Sequence, residues 1–331
     1  MVSAVIFVAT SCVSPLTGFA FWETNLAYEG ESIYNYLQVK NLSDRTILST
    51  NVLLGVQSVT MKDKGLTGMY YDTALAAPAL ADNANSALIL GMGTGTYARQ
   101  LKQYYPKMNI TGVEIDQKIT DLAGEYFDEP ADIPVTTYDG RAWLAASHDK
   151  YDVIMVDAYQ DITIPFQMSS TEFFTMVREH LNPGGVMVVN MNMISDGQGS
   201  INEALSDTIA SVFGNGNTLT ADVPNTTNRE LFAKKPGSGS EENSMQQASK
   251  ALNLRETTYE RTGSEDLEWY MEEVASRFRK VNEPDSASTI LTDDKAPVEV
   301  LGMHAIDQII ADEAGPYRQI LKDEGFGGLL R

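Results

Sequence analysis

A chain of 331 residues, 43% apolar and 21% charged, has interior enough for one large or two medium domains and is not wholesale disordered. Its net charge of −21 argues against nucleic acid, because a phosphate-binding face needs clustered Lys and Arg. An acidic surface attracts small cations such as polyamines, or does no more than keep the protein in solution. The single cysteine, Cys12, excludes an internal disulfide framework and a thiolate metal centre, and His148, His180 and His304 lack ligand spacing, so no metal is expected.

The first 22 residues carry no charge, and the run from Val2 to Trp22 is long enough for a membrane span, although Pro15 and Gly18 weaken it. No basic stretch precedes it, so a cleaved signal peptide or a lipid on Cys12 is less attractive. Residues 1–22 are expected to anchor the protein at the cytoplasmic face of a membrane, or else to be a buried segment. Residues 28–62 alternate in strand fashion (33–39, 46–49, 52–60) and predict a small antiparallel unit ending near residue 82. Residues 70–80 read as one short helix leading into the main domain.

From residue 84 the pattern alternates strand and helix: strands at 87–90, 109–115, 135–138, 151–156 and 186–191, helices at 96–105, 117–127, from 141 and at 171–181. Such alternation predicts a parallel sheet covered on both faces. A helix at 201–213 and a hairpin of 217–223 with 229–233 follow. An antiparallel pair closing a parallel sheet is typical of a methyltransferase-like Rossmann fold, the expected class for residues 83–235. Residues 236–248 read as a Gly/Ser/Glu-rich linker. Residues 249–331 read as a helical C-terminal extension, with 267–281 its clearest amphipathic stretch.

Ligands of open parallel sheets bind at the carboxyl ends of the strands. Four such ends carry suggestive residues here. Gly91, Gly93 and Gly95, with Met92 and Thr94 between them, let the backbone turn and approach a ligand. Glu114 ends the second strand, where a carboxylate can accept both ribose hydroxyls. Asp139 follows the third and Asp157 ends the fourth. Each acid alone could be a solvated residue or a helix cap, but three acids and a glycine loop at four strand ends in register point to a nucleoside. The dinucleotide fingerprint is incomplete, since Thr96 stands at its third glycine, which sets NAD behind a single nucleoside with a reactive tail.

Over residues 28–191 these motifs resemble the spermidine synthase (aminopropyltransferase) family, especially bacterial members fused to membrane segments, and 291–299 resembles those proteins' C-terminal motif. The resemblance gives Gln57, in Leu54-Gly55-Val56-Gln57-Ser58-Val59, contact with the donor. It places Tyr71, in Tyr70-Tyr71-Asp72, at the amine-binding cleft. Glu114 takes the ribose, Asp139 the adenine and Asp157 catalysis, with Tyr159 and Asp161 shaping the acceptor pocket. One departure stands out: Thr94 replaces the aspartate with which the family holds the donor's aminopropyl amine.

The implied reaction moves an aminopropyl group from decarboxylated S-adenosylmethionine to a polyamine, with no permanently bound cofactor. Asp157 orients the acceptor amine and takes its proton. Thr94 keeps a second reading open, in which intact S-adenosylmethionine is the co-substrate, as methyl or 3-amino-3-carboxypropyl donor. A non-catalytic nucleoside or polyamine sensor is a third, although Asp157 argues against it. A homo-oligomer is expected.

Overall fold

Short apolar runs ending in glycine or acid build a central eight-stranded sheet. A computed structural model of the chain describes residues 23–51, 56–128, 130, 132–158, 164–191, 199–237 and 244–303. Its strands are β5 (Ser86–Leu90), β6 (Asn109–Glu114), β7 (Val135–Thr137), β8 (Tyr151–Val156), β9 (Leu181–Met191), β10 (Thr218–Asp222), β11 (Arg229–Lys234) and β12 (Phe278–Lys280). They lie in the order β12-β10-β11-β9-β8-β5-β6-β7. β9 through β7 run parallel, while β10, β11 and β12 close one edge antiparallel. The expected Rossmann-type fold is therefore present, and its order reverses between β5 and β8, which opens a crevice at that switch point.

Alternate residues along each central strand serve opposite faces. Ala87 and Ile89 join one core cluster and Leu88 and Leu90 the other, with Val153/Met155 and Ile154/Val156 dividing likewise. The first face carries α1 (Tyr70–Ala74), α2 (Ala76–Leu80) and α3 (Thr96–Tyr104), together with α9 (Ala251–Thr262) and α10 (Glu265–Arg277). The second carries α5 (Gly140–Ala146), α6 (Thr171–His180) and α7 (Ile201–Phe213), whereas α4 (Gln117–Tyr126) packs toward the N-terminal strands.

Those strands, β1 (Leu26–Glu31), β2 (Tyr36–Asn41), β3 (Arg45–Thr50) and β4 (Ser58–Met61), form a four-stranded antiparallel sheet. Leu37, Val39 and Leu48 pack on Ile119, Leu122 and Phe127, each large side chain gaining about 1.5–3 kcal/mol by burial. Asp116 ties the β1–β2 turn down, its Oδ2 accepting from Ser32 Oγ at 2.6 Å and Asn35 Nδ2 at 3.0 Å. Thr96 secures β4, its Oγ1 accepting from Val59 N–H at 3.0 Å and donating to Val59 O at 2.8 Å. The small sheet becomes one wall of the crevice.

Several local expectations change. Residues 70–80 form two helices rather than one: Pro78 has no N–H for the Ala74 carbonyl, which instead accepts from the Tyr97 hydroxyl at 3.0 Å. Residues 33–35 are not strand but the β1–β2 turn, closed by the Ser32 hydroxyl accepting from the N–H groups of Tyr34 and Asn35. Helix α6 stops at His180, and Leu181 already pairs with Tyr151. The amphipathic stretch at 267–281 ends as a helix at Arg277, and Phe278–Lys280 joins the sheet edge, so side-chain periodicity there concealed a strand. Part of the expected linker, Ser244–Ala248, is the short helix α8, pinned by the buried Met245. Among the described residues no helix is long and apolar enough to cross a membrane. Residues 1–22 lie outside them.

Candidate active site

The carboxyl ends of β5, β6, β7 and β8 open into a single cavity of about 310 Å³, walled by Gln57, Tyr71, Gly91, Gly93, Glu114, Asp139 and Asp157 among others. Gly91 has φ +90°, and a Cβ there would lie 2.2 Å from the Asp157 carbonyl oxygen. Gly93 has φ +56°, and its Cβ would meet Ser58 Oγ at 2.7 Å. Glycine is what lets the loop pass between β8 and the small sheet while leaving room for a ligand.

At the β6 and β7 end of the cavity the acids also hold backbone. Glu114 is buried, its Oε2 accepting from Gly93 N–H at 2.8 Å and its Oε1 from Asp116 N–H at 3.0 Å. Burial raises its pKa, and those N–H groups offset part of the rise. Each carboxylate oxygen has a second lone pair, so ribose hydroxyls can still be accepted. Asp139 caps α5, accepting from Ala142 N–H at 2.7 Å through Oδ1. The cap reading and the cavity reading of Asp139 are therefore both realised: one oxygen holds the helix and the residue lines the wall.

At the other end Asp157 is held by side chains. Its Oδ1 accepts from Asn190 Nδ2 at 2.9 Å and its Oδ2 lies 2.6 Å from the Tyr70 hydroxyl. Burial pushes the carboxyl up to about 6, against the opposing hydrogen bonds of Tyr70 and Asn190. The Tyr70 hydroxyl is also 2.6 Å from that of Tyr71, which donates to the Gln57 carbonyl at 2.7 Å. Three oxygen–oxygen contacts lie in series, and two tyrosines bring only two protons. The third is supplied when Asp157 is protonated, and the chain is then fully bonded.

Other expected residues lie apart. Thr94 is fully buried, its Oγ1 has no hydrogen-bond partner among the described residues, and neither it nor Gly95 belongs to the cavity wall. Tyr159 and Asp161 lie outside the described residues, as do Leu54 and Gly55. Asp72 is a structural clamp, accepting from Thr67 N–H at 2.9 Å and Gly68 N–H at 2.6 Å. The 291–299 motif is a strap: Asp293 binds Arg141 and Ser170, and Arg141 in turn donates to the carbonyl of the cavity residue Gln167 at 2.7 Å. Sequence reasoning passed over Ser58, Tyr70 and Asn190. Asn190 sits near the end of β9, and the strand-end rule applied to a fifth strand would have found it. A larger groove of about 570 Å³ includes Arg229 and Arg279, but both pair with Asp222, at 2.5 and 3.0 Å.

The family model of the spermine/spermidine synthase domain matches residues 69–235. The chain is 99% identical over its whole length to a probable polyamine aminopropyl transferase of Bifidobacterium longum, of which it spans 74%. It is 28% identical over 209 residues to a polyamine aminopropyltransferase of Vibrio vulnificus, covering 60% of this chain and 69% of that one. Among solved structures, a probable spermidine synthase from Corynebacterium glutamicum superposes with a TM-score of 0.56 at 22% identity, over 81% of this chain and 99% of that one. The spermidine synthase of Thermotoga maritima does so with a TM-score of 0.52 at 19% identity, over 65% of this chain and 74% of that one. The structural likenesses speak to the fold, and the sequence matches carry the assignment: the chain belongs to the spermine/spermidine synthase family.

Proposed function

We propose that this protein transfers the aminopropyl group of decarboxylated S-adenosylmethionine to a polyamine, with Asp157 as the base. The observation that carries the reading is Asp157 itself, a buried carboxyl pushed up to about 6 in a cavity whose other end presents Glu114 and Asp139. The acceptor nitrogen attacks the propyl carbon bonded to sulfur. The carbon–sulfur bond breaks, its electron pair stays on sulfur, and methylthioadenosine leaves. The nitrogen's proton passes to Asp157, whose protonated form donates to Tyr70 while Tyr70 donates to Tyr71. Donor contacts are assigned to Gln57, Gly91, Gly93, Glu114 and Asp139, and acceptor contacts to Tyr71, Tyr159 and Asp161. A sulfonium brings its own leaving group, so positioning and one proton transfer suffice.

Thr94 supports one alternative. With no acid at that place in the loop, nothing there repels the carboxylate of intact S-adenosylmethionine, and that donor would deliver a methyl or 3-amino-3-carboxypropyl group instead. Incubation of the protein with each donor and a panel of amines, read by mass spectrometry, decides between them. An aminopropyl adduct from the decarboxylated donor is the expected product. An adduct from the intact donor alone would overturn the reading.

A further inference from the structure

Behind Asp157 lies a second acid that the chemistry above does not use. Glu230 is fully buried on β11, and among the described residues neither carboxylate oxygen has a hydrogen-bond partner. Its cross-strand neighbour on β9 is Asn190, whose amide holds Asp157 Oδ1. Directly paired residues of antiparallel strands share a face. That face is the one on which Phe232 packs with Tyr70 and Tyr97, whereas Leu231 and Ala233 serve the other. Glu230 therefore sits under α1, behind Asn190 and Asp157 rather than in the cavity wall itself.

A buried carboxyl with no donor is costly unless it is neutral or meets a cation. Among the described residues the groups around it supply no cation. From α1 come Tyr70 and Tyr71, which share the core cluster of Phe232, from α3 Tyr97, and from the end of β8 Asp157. Arg229 pairs with Asp222 on β10, and Lys234 is held by Asp82 at 2.8 Å. Burial, and then the charge of Asp157, raise the Glu230 pKa well above that of an ordinary carboxylate and so favour its neutral form. A protein whose acceptor is a polycation brings the missing charge with its substrate.

Resting on the aminopropyl-transfer reading, we propose that Glu230 is a specificity-determining residue of the acceptor end, the buried countercharge for the ammonium of the amine that approaches Asp157. Glu230 gives up its proton as the cation arrives. Amine binding then releases protons and tightens as pH rises.

The test is calorimetric titration of 1,4-diaminobutane into wild type and Glu230→Gln, both saturated with methylthioadenosine, in two buffers of different ionisation enthalpy. Wild type is expected to release up to about one proton more than the variant. The variant should bind the diamine roughly 10–100-fold more weakly, as for a lost charge-assisted bond, while methylthioadenosine affinity, which checks the fold, stays put. Equal proton release and equal diamine affinity in the two proteins would overturn the proposal. Should the variant not fold, wild type alone decides: diamine affinity that does not rise with pH overturns it. Mass spectrometry separates this from the parent reading. Glu230-dependent proton release without any aminopropyl product sinks the transfer reading and leaves Glu230 in place; transfer by Glu230→Gln with an unchanged acceptor KM does the reverse.

Discussion

The two ends of the cavity use carboxylates differently. Glu114 and Asp139 are bound by N–H groups of the loops and helix that they help to shape. Among the described residues the Asp157 carboxylate is bound only by side chains, Tyr70 and Asn190, which arrive from α1 and β9. Backbone donors favour a fixed anionic acceptor, which suits uncharged ribose and adenine. A hydroxyl such as Tyr70's, which can reverse direction, suits a group that changes protonation during the reaction. On the proposed reading the nucleoside end is built to hold still and the amine end to move a proton.

Asp157→Asn tests that division most severely. The amide keeps the shape but cannot accept the amine's proton, so turnover should fall about 100-fold or more, while methylthioadenosine binds within a few-fold of wild type. Single-turnover rates at saturating donor check this; a variant running near wild-type speed would mean that another base serves. Glu114→Gln is the reciprocal experiment. It should weaken methylthioadenosine binding by about 1.5–3 kcal/mol, as for loss of a charged acceptor. Calorimetric titration with an unchanged dissociation constant would remove Glu114 from the ribose.

A smaller effect separates the two ends by pH. With the Asp157 carboxyl pushed up to about 6, kcat/KM should drop on the acid side of that value, approaching roughly tenfold per unit. The sign follows from the base: it works ionised, so activity is lost as pH falls through its pKa. The Tyr70 hydrogen bond lowers that pKa, so Tyr70→Phe should shift the acid limb upward with only a few-fold loss at its plateau. A limb that stays in place would deny Tyr70 its hold on the base.

The same contrast explains what the sequence disclosed. Glycines and acids at successive strand ends are local signals, each fixed by a strand that precedes it, so Gly91, Gly93, Glu114, Asp139 and Asp157 could be read off the alternation. Tyr70 and Asn190 reach Asp157 across 87 and 33 residues of chain, and no spacing rule announces such a meeting. Gln57 and Tyr71 came from the family resemblance rather than from any pattern. Residues 267–281 failed for a related reason. Helical periodicity described α10 well, but the turn into β12 depends on the free edge of β10, which is distant in sequence.

Thr94 gives the smallest expected effect and the sharpest test of where the donor's tail lies. The loop position suggests contact with the donor, yet the side chain is fully buried, off the cavity wall, and its hydroxyl has no partner among the described residues. Thr94→Val keeps the shape and removes only that hydroxyl. Losing a buried, unsatisfied donor costs no bond, so stability should be unchanged or rise by about 1 kcal/mol in denaturant unfolding. Affinities for decarboxylated and intact S-adenosylmethionine should both stay within about twofold, leaving their ratio as it was. Discrimination between the donors would then rest on the groups that line the other end of the cavity, Gln57, Tyr71 and Asp157. A loss of about tenfold for either donor, near the 1.4 kcal/mol of one hydrogen bond, would instead bring the Thr94 hydroxyl onto the tail, with the loop turning it inward when the donor binds.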